Sequence, residues 1–186
     1  QGCGSHPRIA GLTEASVVVA DGDSLTFGAD ESRTDAYPAI LAGLIGCRVV
    51  NAGIPGEETS DGLLRLPVIL KQAQPNLVIL CEGGNDMLRG QPDDTIRKNL
   101  DQMVSIAHTS GADVILIGVP RPGLRLKVPP FYRQIARKHD IPYNDEVMAK
   151  VLSSPSLKSD QLHPNALGCR RVAESVASLI RASRRK

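Results

Sequence analysis

Four short apolar runs punctuate the chain: Val17–Ala20, the Val49-Val50 pair within Arg48–Asn51, Leu77–Cys81 and Val114–Val119. Each stops at a turn of Gly, Asp, Asn or Pro. Brief aliphatic segments bounded this way are strands covered on both faces, as in a parallel sheet. Ile141-Pro142-Tyr143 is a weaker fifth. Between the runs the apolar period lengthens. Tyr37–Ile45 has a helical pattern, with Pro38 tolerable in its first turn and Gly46 as its stop. A second helix is predicted from about Thr59 to Ala73, where Pro67 should kink or break it. Asp93–Thr109 repeats Ile96, Leu100, Met103, Val104 and Ala107 at helical spacing and closes at Gly111. Helices are further expected at Phe131–His139, over 145–152, and from about Asn165 onward with Val172, Val176, Leu179 and Ile180 inward. Loops fall at Thr26–Asp35, Pro120–Pro130 and 153–164.

Strands alternating with helices imply right-handed βαβ crossovers and a doubly wound parallel sheet. Residues 1–15 read as an N-terminal arm and 16–186 as one domain, without internal repeats or low-complexity segments.

In a parallel sheet, the turns after successive strands meet at one edge, where open α/β sheets bind their ligands. Three such turns carry reactive or donating groups: Gly22-Asp23-Ser24-Leu25, Asn51-Ala52-Gly53 and Gly83-Gly84-Asn85-Asp86. A fourth segment, Asp160-Gln161-Leu162-His163, precedes the last helix. Ser24 is a nucleophile candidate at a strand end. Of the histidines, His163 alone has a carboxylate three residues upstream in a loop. Asp160 can fold back to orient one ring nitrogen, leaving the other to take a proton from Ser24. Acyl transfer also needs donors where the oxyanion develops. Asn85 and the N–H groups of Gly53 and Ser24 are candidates. Taken singly, each of these is ordinary turn or capping chemistry.

Together the four blocks resemble those of the SGNH (GDSL) hydrolases, over about residues 16 to 181. The segments Asn51–Ser60, Leu64–Pro67 and Gly83–Gly90 are most similar to the bacterial arylesterase and thioesterase/lysophospholipase branch. The resemblance implies a flavodoxin-like three-layer α/β/α fold with five parallel strands in the order 2-1-3-4-5. It implies Ser24 as nucleophile, His163 as base and Asp160 as its orienter, with Ser24, Gly53 and Asn85 forming the oxyanion hole. The reaction is hydrolysis of aryl, short-acyl or thioesters through an acyl-enzyme. No cofactor or metal is called for. The small-molecule ester would lie against loops 26–35, 86–92 and 120–131, with Met87, Leu124 and Leu126 as binding residues. Alternatives are a carbohydrate O-deacetylase and a catalytically impaired binding protein on the same fold.

Two residues depart from the pattern. Asp21 precedes Gly-Asp-Ser where an aliphatic residue is usual, and Glu82 precedes Gly-Gly-Asn-Asp where an apolar or small one is usual. Each lies three residues before a catalytic-block residue, Ser24 or Asn85, on strands expected to be neighbours. The two carboxyls should therefore lie close, with at least one pKa raised unless a lysine or arginine intervenes.

Composition narrows the rest. A net charge of +2 over 186 residues gives no electrostatic footprint for nucleic acid, and 3% aromatics without Trp supply no stacking platform. Cys3, Cys47, Cys81 and Cys169 match neither a zinc spacing nor a disulfide framework. No apolar run approaches transmembrane length. The start, Gln1-Gly2-Cys3-Gly4-Ser5, is similar to the segment after a bacterial lipoprotein signal peptide. Cys3 is thus a candidate lipid anchor, which implies a periplasmic or membrane-anchored location. The alternative is a loose arm on a cytoplasmic protein.

Overall fold

The computed structural model describes residues 7–29, 32–123 and 125–185. Cys3, the expected anchor, and Leu124, an expected binding residue, lie outside the described residues. Five parallel strands form one sheet in the order β2-β1-β3-β4-β5. They are β1 (Val17–Gly22), β2 (Arg48–Gly53), β3 (Leu77–Cys81), β4 (Asp113–Ile117) and β5 (Tyr143–Asn144). The order is the one the resemblance implied. Every residue of the central strand β3 is buried, which is why it reads as an unbroken aliphatic run rather than an alternating one.

Helices cover both faces. On one, α3 (Thr59–Ala73) packs on α5 (Asp93–Thr109), which packs on α6 (Pro130–His139). On the other, α2 (Tyr37–Ile45) and α7 (Val147–Ser153) pack on α8 (Ala166–Ala182). The inward stripe of α5 is the predicted one: Ile96, Leu100, Met103, Val104 and Ala107 are all buried. Full burial of each aliphatic side chain is worth about 1.5–3 kcal/mol.

Three details differ from the sequence reading. Ser24–Phe27, expected to enter a polar loop, forms a one-turn helix, α1, because Asp23 accepts from Leu25 N–H at 2.9 Å and caps it. Helix α3 runs through Pro67. Pro67 faces solvent, while Leu66 and Leu70 are buried and hold the helix to the sheet despite the missing N–H. The arm is docked from residue 7 onward: Ile9 is buried and hydrogen-bonds with Ser183 and Arg185 at 2.8 and 2.9 Å.

The register levels the strand ends. Gly22 of β1 pairs with Gly53 of β2 on one side and Cys81 of β3 on the other. The turns after β1, β2 and β3 therefore leave the sheet side by side. The turn after β3 opens α4 (Gly84–Leu88).

Candidate active site

Ser24 is the first residue of α1, so its N–H has no acceptor within the helix. Its Oγ lies 3.0 Å from His163 Nε2, and His163 Nδ1 lies 2.9 Å from Asp160 Oδ2. The second oxygen of Asp160 accepts from the N–H groups of Leu162 and His163 at 2.6 and 2.7 Å. This Asx-type turn fixes the carboxylate before it meets the ring. Desolvation works against the Asp160 charge. The hydrogen bonds from the His163 ring and from the two N–H groups outweigh it and hold the carboxyl below its usual value. The predicted relay of Ser24, His163 and Asp160 is brought together across 139 positions of chain.

Asn85 sits in the first turn of α4. Its Nδ2 donates to the Glu57 carbonyl at 2.9 Å and, at 3.2 Å, to Asp23 Oδ2. Burial pushes the Asp23 carboxyl up to about 7, against the pull of Leu25 N–H and the His163 charge. Asp86 anchors the same helix by accepting from Thr59 N–H and Thr59 Oγ1 at 2.9 and 2.5 Å, and Asn99 donates to that hydroxyl.

Gly53 does not reach the expected oxyanion position. Its N–H is donated to Asn51 Oδ1 at 3.0 Å. A Cβ there would stand 2.4 Å from Phe27 N, so this glycine permits α1 to pack on β2. Gly56, three residues on, lines the cleft instead. Its φ of +81° suits glycine, and its N–H has no hydrogen-bond partner among the described residues. Both glycines stand in the turn Ala52–Gly56, and sequence alone gave no means of choosing between them.

The cleft beside Ser24 holds about 300 Å3 and is walled by Pro55, Leu88, Val119, Pro122, Leu152 and Leu162. Pro120, Pro122, Leu152 and Leu162 also border a second cavity of about 620 Å3, which reaches Leu126 and Lys158. Leu126 lines this second cavity and also packs against the core. Met87 does not line the cleft. It is 7% exposed and packs in the core, while its neighbour Leu88 is 49% exposed and faces the cleft. Consecutive residues on a helix point about 100° apart, which separates the two roles.

Asp21 and Glu82 lie on the same side of the sheet, since Asp21 is in register with Leu80, two residues before Glu82. Both are 0% exposed. The cation beside Asp21 is Arg65 of α3, which it shares with Glu57. Its Nε donates to Glu57 Oε1 at 2.8 Å, and its Nη2 donates to both Glu57 Oε2 and Asp21 Oδ1, at 2.7 and 2.9 Å. Burial nevertheless dominates at Asp21 and pushes its carboxyl up to about 7, opposed by Arg65 and assisted by Glu57. Burial, with the charges of Asp23, Asp21 and Glu57, drives Glu82 well above the ordinary range. Glu57 and Arg65 were missed in the sequence. The available signal was a cation three residues after Gly62 and next to the buried Leu66 of α3.

Residues 20–171 match the GDSL-like lipase/acylhydrolase family. An arylesterase of Vibrio mimicus is 30% identical over 174 residues, covering 84% of each chain. Thioesterase 1/protease 1/lysophospholipase L1 of Escherichia coli K12 is 35% identical over 160 residues, covering 81% of this chain and 76% of the relative. A crystal structure of TesA superposes with a TM-score of 0.78 at 26% identity, covering 89% of this chain and 98% of that one. AlinE4, an SGNH-hydrolase family esterase, superposes at 0.69 with 27% identity, covering 94% and 100%. With its four motif blocks meeting at one sheet edge and the match spanning most of its length, the chain belongs to the GDSL-like lipase/acylhydrolase family.

Proposed function

We propose that this protein hydrolyses carboxylic esters and thioesters through an acyl-enzyme on Ser24. The observation that carries the reading is the continuous Ser24 Oγ–His163–Asp160 chain at 3.0 and 2.9 Å. Ser24 attacks the carbonyl carbon while His163 Nε2 takes the hydroxyl proton. Asp160 holds the ring so that Nε2 faces the serine, and it stabilises the imidazolium that forms. The oxyanion is received by Ser24 N–H, by Gly56 N–H and by the Asn85 amide, whose longer bond, to Asp23, is the one exchanged. His163 then protonates the leaving alcohol or thiol and activates water for deacylation.

The acyl or aryl group lies in the apolar cleft under Leu88 and Leu162. The continuation past Pro120 and Pro122 makes room for groups longer than acetyl. The testing experiment is hydrolysis of a p-nitrophenyl ester series, from acetate to long acyl chains, beside Ser24→Ala. Turnover in the parent and none in the variant is the expected result. Equal turnover in both would overturn the assignment, as would a folded parent inert on every ester.

A further inference from the structure

Beneath the reacting groups, the buried carboxyls of Asp21 and Glu57 share the Arg65 guanidinium, and a third, that of Glu82, lies nearby without such a bond among the described residues. Asp21, Glu57 and Glu82 are 0, 6 and 0% exposed. Arg65 satisfies both oxygens of Glu57 but only Oδ1 of Asp21. Asp21 Oδ2 and Glu82 Oε1 are buried without a hydrogen-bond partner among the described residues. The other oxygen of Glu82 has only a 3.3 Å contact from Gly83 N–H. An unpaired carboxylate in such surroundings loses several kcal/mol of solvation, so it takes up a proton instead. Among the described residues, these side chains are not arranged to hold a metal ion.

The cluster is connected to the site through the backbone. The residue that Arg65 clasps, Glu57, is the one whose carbonyl accepts from Asn85 Nδ2. Building on the proposed acyl transfer, we propose that Asp21 and Glu82 together hold a proton beneath the site. While it is held, Arg65 clasps Glu57 and acts as a positioning residue for the oxyanion donor Asn85. The coupling runs through one atom, Arg65 Nη2, which donates to both Glu57 and Asp21. With Asp21 neutral, the guanidinium stays on Glu57. As the pair loses its proton, negative charge below Arg65 draws it away, and Glu57 and Asn85 lose their fixed geometry.

Among the described residues around the pair, Arg65 is the cation that acts on Asp21. β1 and the cap of α1 bring Asp21 and Asp23; the end of β3 brings Cys81 and Glu82. The turn before α3 brings Glu57, and α3 itself brings Arg65. α4 adds Asp86, already held by Thr59. α6 adds Tyr132, whose hydroxyl donates to the Glu82 carbonyl at 2.7 Å. α2 adds the buried Tyr37, and α5 contributes the uncharged Met103. The sign follows from burial. A carboxyl raised in the folded state stabilises it at low pH, and that contribution fades as pH rises from about 4 through the folded value.

The experiment measures kcat, KM and the thermal unfolding midpoint from pH 6 to 10. It compares the parent, Ser24→Ala, Asp21→Asn, Glu82→Gln, Arg65→Lys, Arg65→Met, Asn85→Ala and the Arg65→Met/Asn85→Ala double variant. The parent should lose about tenfold in kcat on the alkaline side, with KM steady. The carboxamides Asp21→Asn and Glu82→Gln mimic the protonated acids and should abolish that loss. Arg65→Met should lower kcat about tenfold, Arg65→Lys should restore part of it, and removing Asn85 should then cost less than threefold rather than about a hundredfold. A flat alkaline side in the parent, an alkaline loss unchanged in both carboxamides, or a full Asn85 penalty without Arg65 would each overturn the proposal. Should Arg65→Met fail to fold, the carboxamide profiles still decide. If the folded parent hydrolyses no ester, the esterase reading fails instead. The unfolding midpoint then tests the proton: it should fall with rising pH in the parent and less steeply in the carboxamides, and equal slopes would overturn it.

Discussion

Asp160 and Asp21 stand at opposite ends of the same machinery, and their environments push them in opposite directions. Asp160 is half exposed and receives three donors, so it remains a carboxylate despite some desolvation. Asp21 is sealed under α3 with one shared guanidinium, and burial lifts it to about 7. In the relay around Ser24 both oxygens of Asp160 have donors. The floor beneath it has more buried negative charge than cation. A catalytic carboxylate thus keeps its charge near water with several donors, whereas a buried one keeps it only with a full set of partners.

The comparison can be broken at either end. The largest effect should come from the relay: Ser24→Ala is expected to lower kcat by at least about 10⁴-fold, measured with a p-nitrophenyl ester on folded protein. A residual rate within tenfold of the parent would place the nucleophile elsewhere. Next, Asn85→Ala should lower kcat by about 10²–10³-fold, or about 2.7–4 kcal/mol, with KM little changed. A change confined to KM would make Asn85 a ground-state binding group.

At the floor, Asp21→Leu should raise stability by about 1–4 kcal/mol at pH 8, because it removes a buried, half-satisfied acid and leaves Arg65 paired with Glu57. Denaturant unfolding measures this. The gain should shrink toward pH 5, where Asp21 is already neutral, and a gain independent of pH would refute the titration. The smallest effect concerns the cleft wall. Leu88→Ala should change stability by less than about 1 kcal/mol, since Leu88 is half exposed, yet shift preference among acyl chain lengths. An unchanged chain-length profile would remove Leu88 from the binding wall.

Much of this was legible in the sequence, and the misses have specific causes. The β and α periods gave the strands and helices, and the residue types at the strand ends gave Ser24, Asn85, Asp160 and His163. The pairing of Asp21 with Glu82 was readable from their equal offsets on neighbouring strands. Met87 was misjudged because neighbouring residues on a one-turn helix face the core and the cleft, and composition does not set that rotation. Gly53 was the expected donor because it ends the run after which the chain turns at the sheet edge. The register then joins Gly53 to Gly22 and its side is packed by α1, while Gly56, later in the turn, lines the cleft.

By itself the sequence determined the layered α/β architecture, the candidate residues Ser24, Asn85, Asp160 and His163, and the presence of two unusual acids. These follow from local periodicity and from residue chemistry at fixed offsets. Only the tertiary structure decided which glycine lines the cleft, that Arg65 is shared by Asp21 and Glu57, and that among the described residues one oxygen each of Asp21 and Glu82 remains unpartnered. Those facts depend on how α3, α1 and the turn before α3 are rotated and packed over the sheet. That packing is settled by contacts between segments far apart in the chain, which no local pattern encodes.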